Sequence, residues 1–237
     1  MQKESVINKK AAAVSVLFSA LLIAAACILN EYLKGKQFYY LTAVLIIGAS
    51  LVPFLLSFEN RRPSARELVL LACMSALAVA SRAAFYAFPT VKPMCAIVII
   101  TAVCFGAQTG FMCGVISMFA SNFIFGQGMW TPFQMLGMGA VGLIAGFIFC
   151  GRKIRENRFV LAAVGGVLGF AVYGIIVDLG SVLMMTTDFS IKQIAAVYAS
   201  GFAYNVSHGV TTGVILLLAG KVFIEKLDRI RIKYGLF

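Results

Sequence analysis

The chain has 237 residues, of which 61% are hydrophobic and only 12% charged, and its mean hydropathy is +0.95. An ordinary soluble domain is roughly one quarter charged, so a water-soluble fold is excluded and an all-α integral membrane protein is expected. The net charge of +11 does not point to nucleic acid, because the basic residues gather at the ends of apolar runs, where they orient a chain in a bilayer.

Eight stretches approach the roughly 20 residues that a bilayer core requires: 11–31, 38–58, 67–87, 93–106, 109–125, 133–150, 159–182 and 195–223. The first lacks a clear small-residue cleavage site, so it reads as a span rather than a removable signal. The polar break E-N-R-R-P-S at Glu59–Ser64 divides two spans from six. We expect a transmembrane hairpin and linker over 1–63, then a six-helix membrane domain over 64–237 with a basic C-terminal tail. The fourth span is short, and only Gly106–Thr109 separates it from the fifth. With the N-terminus inside, fifteen of the twenty Lys and Arg residues fall in inner segments, which puts both termini in the cytoplasm.

Along the core, Ala72, Ala76 and Ala80 form a small-residue stripe on the first helix. Four-residue spacing puts them on one face, which either packs inside the bundle or receives a separate protein. Gly106, Gly110 and Gly114, Gly142 with Gly146, and Gly209 with Gly213 repeat the spacing and read as close helix packing. The six cysteines lie in apolar segments without a C-x-x-C pair and read as packing residues.

Polar groups at membrane depth are costly and therefore informative. Arg82, Asn122, Asp178, Asn205 and His208 all fall in or near the outer half, with Tyr198 and Tyr204 beside the last two. Arg82 and Asp178 form a structural ion pair, snorkel to the interface, or line a pocket. His208 is a buried satisfied imidazole or a ligand contact, and no second ligand stands at metal spacing beside it. The loop F-G-Q-G-M-W-T-P-F-Q, Phe125–Gln134, holds the only tryptophan, Trp130, with Gln127 and Gln134. Gly126, Gly128 and Pro132 suffice for a turn. The aromatic and amide groups either anchor the helices at the interface or stack on and hydrogen-bond an organic ligand.

The core from about Arg66 to Gly220 resembles the substrate-binding S components of energy-coupling factor (ECF) transporters. The resemblance rests on six helices of this size, the opening R-E-L-V-L-L-A-C-M-S-A-L-A-V-A-S-R and the tryptophan loop. It implies that Ala72, Ala76 and Ala80 dock on a transmembrane coupling subunit, itself driven by two ATPase subunits. It also implies that a vitamin-like small molecule binds near the outer face. The resemblance puts in its site the Pro89–Pro93 loop with Lys92, the Gly126–Gln134 loop with Gln127, Trp130 and Gln134, and Asp178, Asn205 and His208; the polar residues at depth add Arg82 and Asn122 as candidates. The loop looks most like S components assigned to cobalamin or related compounds.

No enzyme constellation is present: there is no G-x-S-x-G elbow, H-E-x-x-H, P-loop or paired carboxylate, so energy for uptake must come from elsewhere. The competing readings are a stand-alone secondary transporter coupled through Arg82, Asp178 and His208, and a lipid or prenyl enzyme using Lys92, Arg82 and Asp178.

Overall fold

The computed structural model describes residues 63–88, 90–185 and 190–235, together with Gly48. Apart from that single glycine, the expected N-terminal hairpin lies outside the described residues. The six core spans are present as helices, five within a few residues of their expected bounds and the sixth continuing eleven residues past its expected end at 223. Helix α1 is Ala65–Ala84, α2 Met94–Phe105, α3 Ala107–Phe125 and α4 Thr131–Phe149. Helix α5 runs Arg158–Val167, passes through a π-helical stretch Leu168–Tyr173 and continues as Gly174–Met185. Helix α6 runs Ile191–Ile215, through a second π-helical stretch Leu216–Gly220, and continues as Lys221–Tyr234.

Local chemistry sets several of these ends. The Ser64 hydroxyl accepts from the Glu67 amide at 3.3 Å and caps α1, and Asn157 and Ser190 do the same for α5 and α6. Pro93 precedes α2, and Gly106 ends it at a φ of 98°, a conformation that a side chain disfavours. That single glycine is the whole α2–α3 connection.

Four of these helices are long and apolar enough to cross a membrane: Ala65–Ala84, Ala107–Phe125, Thr131–Phe149 and Arg158–Met185. Helix α6 is long enough, but Lys192, Gln193, Asn205, His208 and its threonines keep it less apolar than those four. Helix α2 is different in kind. Its twelve residues are all buried, and at 1.5 Å per residue it is only about 18 Å long. It is the centre of the bundle, packed by α1, α3 and α4.

Helices α3 and α4 pack most extensively, and glycine explains how. A Cβ on Gly142 would overlap the Gly110 carbonyl, one on Gly114 the Met138 carbonyl, and one on Gly146 the Ala107 backbone. Backbones therefore meet backbones, the packing that replaces the hydrophobic effect inside lipid. Gly209 opposite Gly166 and Gly213 opposite Ala162 join α5 and α6 in the same manner. The glycine series is internal packing, as the spacing predicts. The alanine stripe is not: Ala72, Ala76 and Ala80 are exposed, while Leu71, Met74, Ser75 and Ala78 form the buried face of α1.

One end of the bundle is basic and tied together by arginines. Arg155 makes a two-pronged contact with Asp228 at 2.7 and 3.3 Å. Arg66 donates to the Tyr234 carbonyl at 3.0 Å, and Arg231 donates to the Cys104 carbonyl at 2.8 Å. The last contact satisfies a free carbonyl at the C-terminal end of α2, where a cation also suits the helix dipole.

Candidate functional site

The expected site residues lie at the end opposite Arg66, Arg155 and Arg231, in two groups. The first joins α1, α3 and α4. Because α1 turns its buried face to α3, the Arg82 side chain crosses that seam, donating through Nη1 to Ser121 Oγ at 2.5 Å, Asn122 Oδ1 at 2.9 Å and Met118 Sδ at 3.3 Å. Asn122, fully buried, spends its amide on Thr131 Oγ1 at 3.1 Å and Gln134 Oε1 at 2.8 Å. One arginine thus organises the ends of three helices. Its guanidinium carbon lies 4.3 Å from the centre of the Phe125 ring, and the Lys92 ammonium lies 5.1 Å from the same ring. Lys92 is only 9% exposed, in the turn that leads into α2. Burial, and secondarily the Arg82 charge, holds its pKa below the ordinary lysine value.

The second group belongs to α5 and α6. Asn205 donates to Asp178 Oδ2 at 2.7 Å. Tyr173, the last residue of the first π-helical stretch, stacks on His208 with centroids 4.7 Å apart and planes 13° from parallel. A π-helical turn shifts the side-chain register, and such turns recur at functional sites. The His208 ring is 2% exposed and bonds the Gly169 backbone, while its Nδ1 has no partner among the described residues. The turn carrying Thr90 and Lys92 lies between the two groups, set over the Phe125 ring on one side and tied to α6 on the other. The Ser207 hydroxyl also donates to the Thr90 carbonyl at 3.2 Å, fastening α6 to the α1–α2 turn.

Of the alternatives for Arg82 and Asp178, the ion pair does not form: each residue is engaged within its own group, one by α3 and the other by Asn205. This removes the direct link on which a relay through these two residues would depend. Gln127 is exposed and ties the loop to itself, donating to the Phe119 carbonyl at 3.1 Å and accepting from Thr131 Oγ1 at 3.0 Å. Trp130 is 44% exposed, and its ring folds back over Gly128, where a Cβ would come within 2.5 Å of the indole. Gly126 provides the backbone reversal at a φ of 101°, whereas Gly128 provides room for the ring. Among the described residues no group of three potential ligands stands ready for a metal, and Cys95, Cys104 and Cys113 are fully buried.

Sequence reasoning missed Ser121, Phe125, Thr131, Tyr173, Gly174 and Gly201. Ser117 and Ser121 follow Cys113 at four-residue steps on the α3 face turned to α1, a pattern visible in hindsight. Gly174 and Gly201 gave no signal, since their role is space: a Cβ on Gly174 would sit 2.7 Å from Asn205 Cγ, and one on Gly201 2.5 Å from Asp178 Oδ1. Gly201→Ala is therefore expected to part Asp178 from Asn205 and weaken ligand binding about tenfold, one hydrogen bond to a charged group. Calorimetry reads the affinity, and an unchanged melting temperature separates the effect from misfolding.

A family model described as ECF-type riboflavin transporter, S component, matches residues 62–224. A UPF0397 protein of Aliivibrio salmonicida (strain LFI1238) is 33% identical over 96 residues, 36% of this chain and 52% of that protein. The chain thus spans about half the length of this curated relative. No solved structure matches it. The match to a family described by riboflavin gives the cobalamin-related assignment no support.

Proposed function

The chain belongs to the S-component family of ECF-type riboflavin transporters, and from that premise we propose that it captures a vitamin-class solute at the outer face for uptake driven by a separate module. S components work with a transmembrane coupling subunit and ATPase subunits, and this multi-pass membrane chain has the helices for such a role. The observation that supports the reading is that two polar groups, Arg82 with Lys92, Asn122 and Gln134, and Asp178 with Asn205, lie at the end opposite the basic residues. The basic end is then cytoplasmic, in line with the positive-inside rule. Ala72, Ala76 and Ala80 form the docking face for the coupling subunit, and residues 1–63 form a separate hairpin beside the 64–237 binding domain. Riboflavin, the compound in the family's description, is the first ligand to try.

Trp130 closes the site as a lid in this reading. Its indole is half out of the protein and packed on a glycine, so it can swing without displacing a core side chain. Burying it against a flat ligand contributes about 1–3 kcal/mol. Riboflavin or a related vitamin is expected to change the emission of this sole tryptophan and shield it from a water-soluble quencher. Trp130→Ala should raise the dissociation constant at least tenfold. An unchanged spectrum with unchanged affinity assigns Trp130 to interfacial anchoring, and ATP hydrolysis by the isolated chain overturns the receptor reading itself.

A further inference from the structure

We propose that the ligand carries an anionic group, a carboxylate or a phosphate, held by Arg82 and Lys92 at the Phe125 ring. The inference rests on the receptor reading above and narrows the class of solute it takes. Two cations share one face of this site and flank one aromatic ring, Arg82 at 4.3 Å and Lys92 at 5.1 Å from the Phe125 centroid. Neither has a carboxylate partner among the described residues. The ion pairs there, Arg155 with Asp228 and Lys221 with Glu225, are both at the basic end. Of the described acidic residues, Glu67, Glu156, Glu225 and Asp228 also lie at that end. The remaining one, Asp178, is held by Asn205.

Burying a charge without a counter-charge costs several kcal/mol, and placing a second like charge beside it adds repulsion. Phe125 offsets part of the cost, because its ring face attracts both cations. A ring does not neutralise them.

The donor geometry is also incomplete. Every hydrogen bond that Arg82 makes among the described residues leaves from Nη1, and Nε and Nη2 have no partner among them. A guanidinium with one edge committed to protein and the other open is suited to two-point recognition of a carboxylate or phosphate. The lowered Lys92 pKa agrees with this arrangement, since an anion brought between the two cations favours the ammonium form.

Neutral and anionic members of matched pairs test the proposal: riboflavin with riboflavin 5′-phosphate, nicotinamide with nicotinate, and pyridoxal with pyridoxal 5′-phosphate. Binding to the purified full chain in a neutral detergent is read by calorimetry and Trp130 emission. Within any pair that binds, the anionic member is expected to bind at least about tenfold tighter, with an advantage that shrinks as salt rises. Lys92→Gln should erase the preference and Lys92→Arg should keep it, with melting temperatures showing that both variants fold. A neutral member binding equally well or better overturns the proposal while leaving the receptor reading intact. So does the failure of every anionic member to bind, because docking on the coupling module tests the receptor reading separately. Phosphate from an outer-leaflet lipid is the other source of the same chemistry. If an anionic lipid copurifies with the wild type but not with Lys92→Gln, and no soluble pair shows a preference, the cations hold a headgroup and the proposal falls.

Discussion

Ala76→Leu is expected to reduce uptake to background while leaving ligand affinity within about twofold of wild type. Ala76 lies midway along α1 on an exposed face with Ala72 and Ala80, and the opposite face is occupied by the bundle. In lipid, two helices associate by close backbone approach, because the hydrocarbon around them is as apolar as the side chains they would bury. A leucine at the middle of the stripe holds the helices apart at the point of nearest approach. Arg82 of the proposed site turns to α3, where it bonds Ser121 and Asn122, so binding measured by calorimetry should persist. Uptake in vesicles carrying the coupling and ATPase subunits gives the other half of the comparison. Weakened binding with uptake still coupled would show that the stripe serves the bundle itself.

Gly142→Ala is expected to be more damaging to the fold than its single methyl suggests, costing about 2–3 kcal/mol and roughly 5–10 °C in melting temperature. The added carbon would overlap the Gly110 carbonyl and approach the Phe111 amide, both of them backbone. No rotamer change relieves that contact; α3 and α4 must move apart. Their far ends hold Ser121 and Asn122 on one helix and Thr131 and Gln134 on the other. Ligand affinity should therefore fall with stability, although the site is remote from Gly142. A melting curve that matches wild type would mean that the seam is looser than the packing indicates.

The helices were readable because bilayer thickness constrains their length and glycine spacing constrains their packing. The expected 67–87 and 109–125 became Ala65–Ala84 and Ala107–Phe125, and the small-residue series marked the α3–α4 seam. Polarity at depth likewise brought out Arg82, Asn122, Asp178, Asn205 and His208, because lipid tolerates such groups only with a reason. Partner choice was not readable. Arg82 and Asp178 suggest a pair by charge alone, yet α1 faces α3 and α5 faces α6, and these contacts separate the two residues. Tyr173 was hidden for another reason: it belongs to a π-helical turn inside an apolar run, where a 3.6-residue periodicity assigns the wrong facing. Gly174 and Gly201 act through volume they do not occupy, which composition cannot report.

The enclosed α2 bears on biogenesis. A twelve-residue segment is a poor candidate for independent release into lipid, since a lone helix needs closer to 20 residues to match the hydrocarbon thickness. With Gly106 as its only link to α3, it is suited to partition as the short arm of a two-helix unit. Its shelter is completed by α4, translated later, and its Cys104 carbonyl is closed by Arg231, later still. The translocon must therefore retain, or a membrane chaperone must shield, an early segment that has α1 beside it before α4 is made. Loss of the stretch around Arg231 would be felt first as quality-control degradation of nascent protein, before any defect in solute capture could be measured.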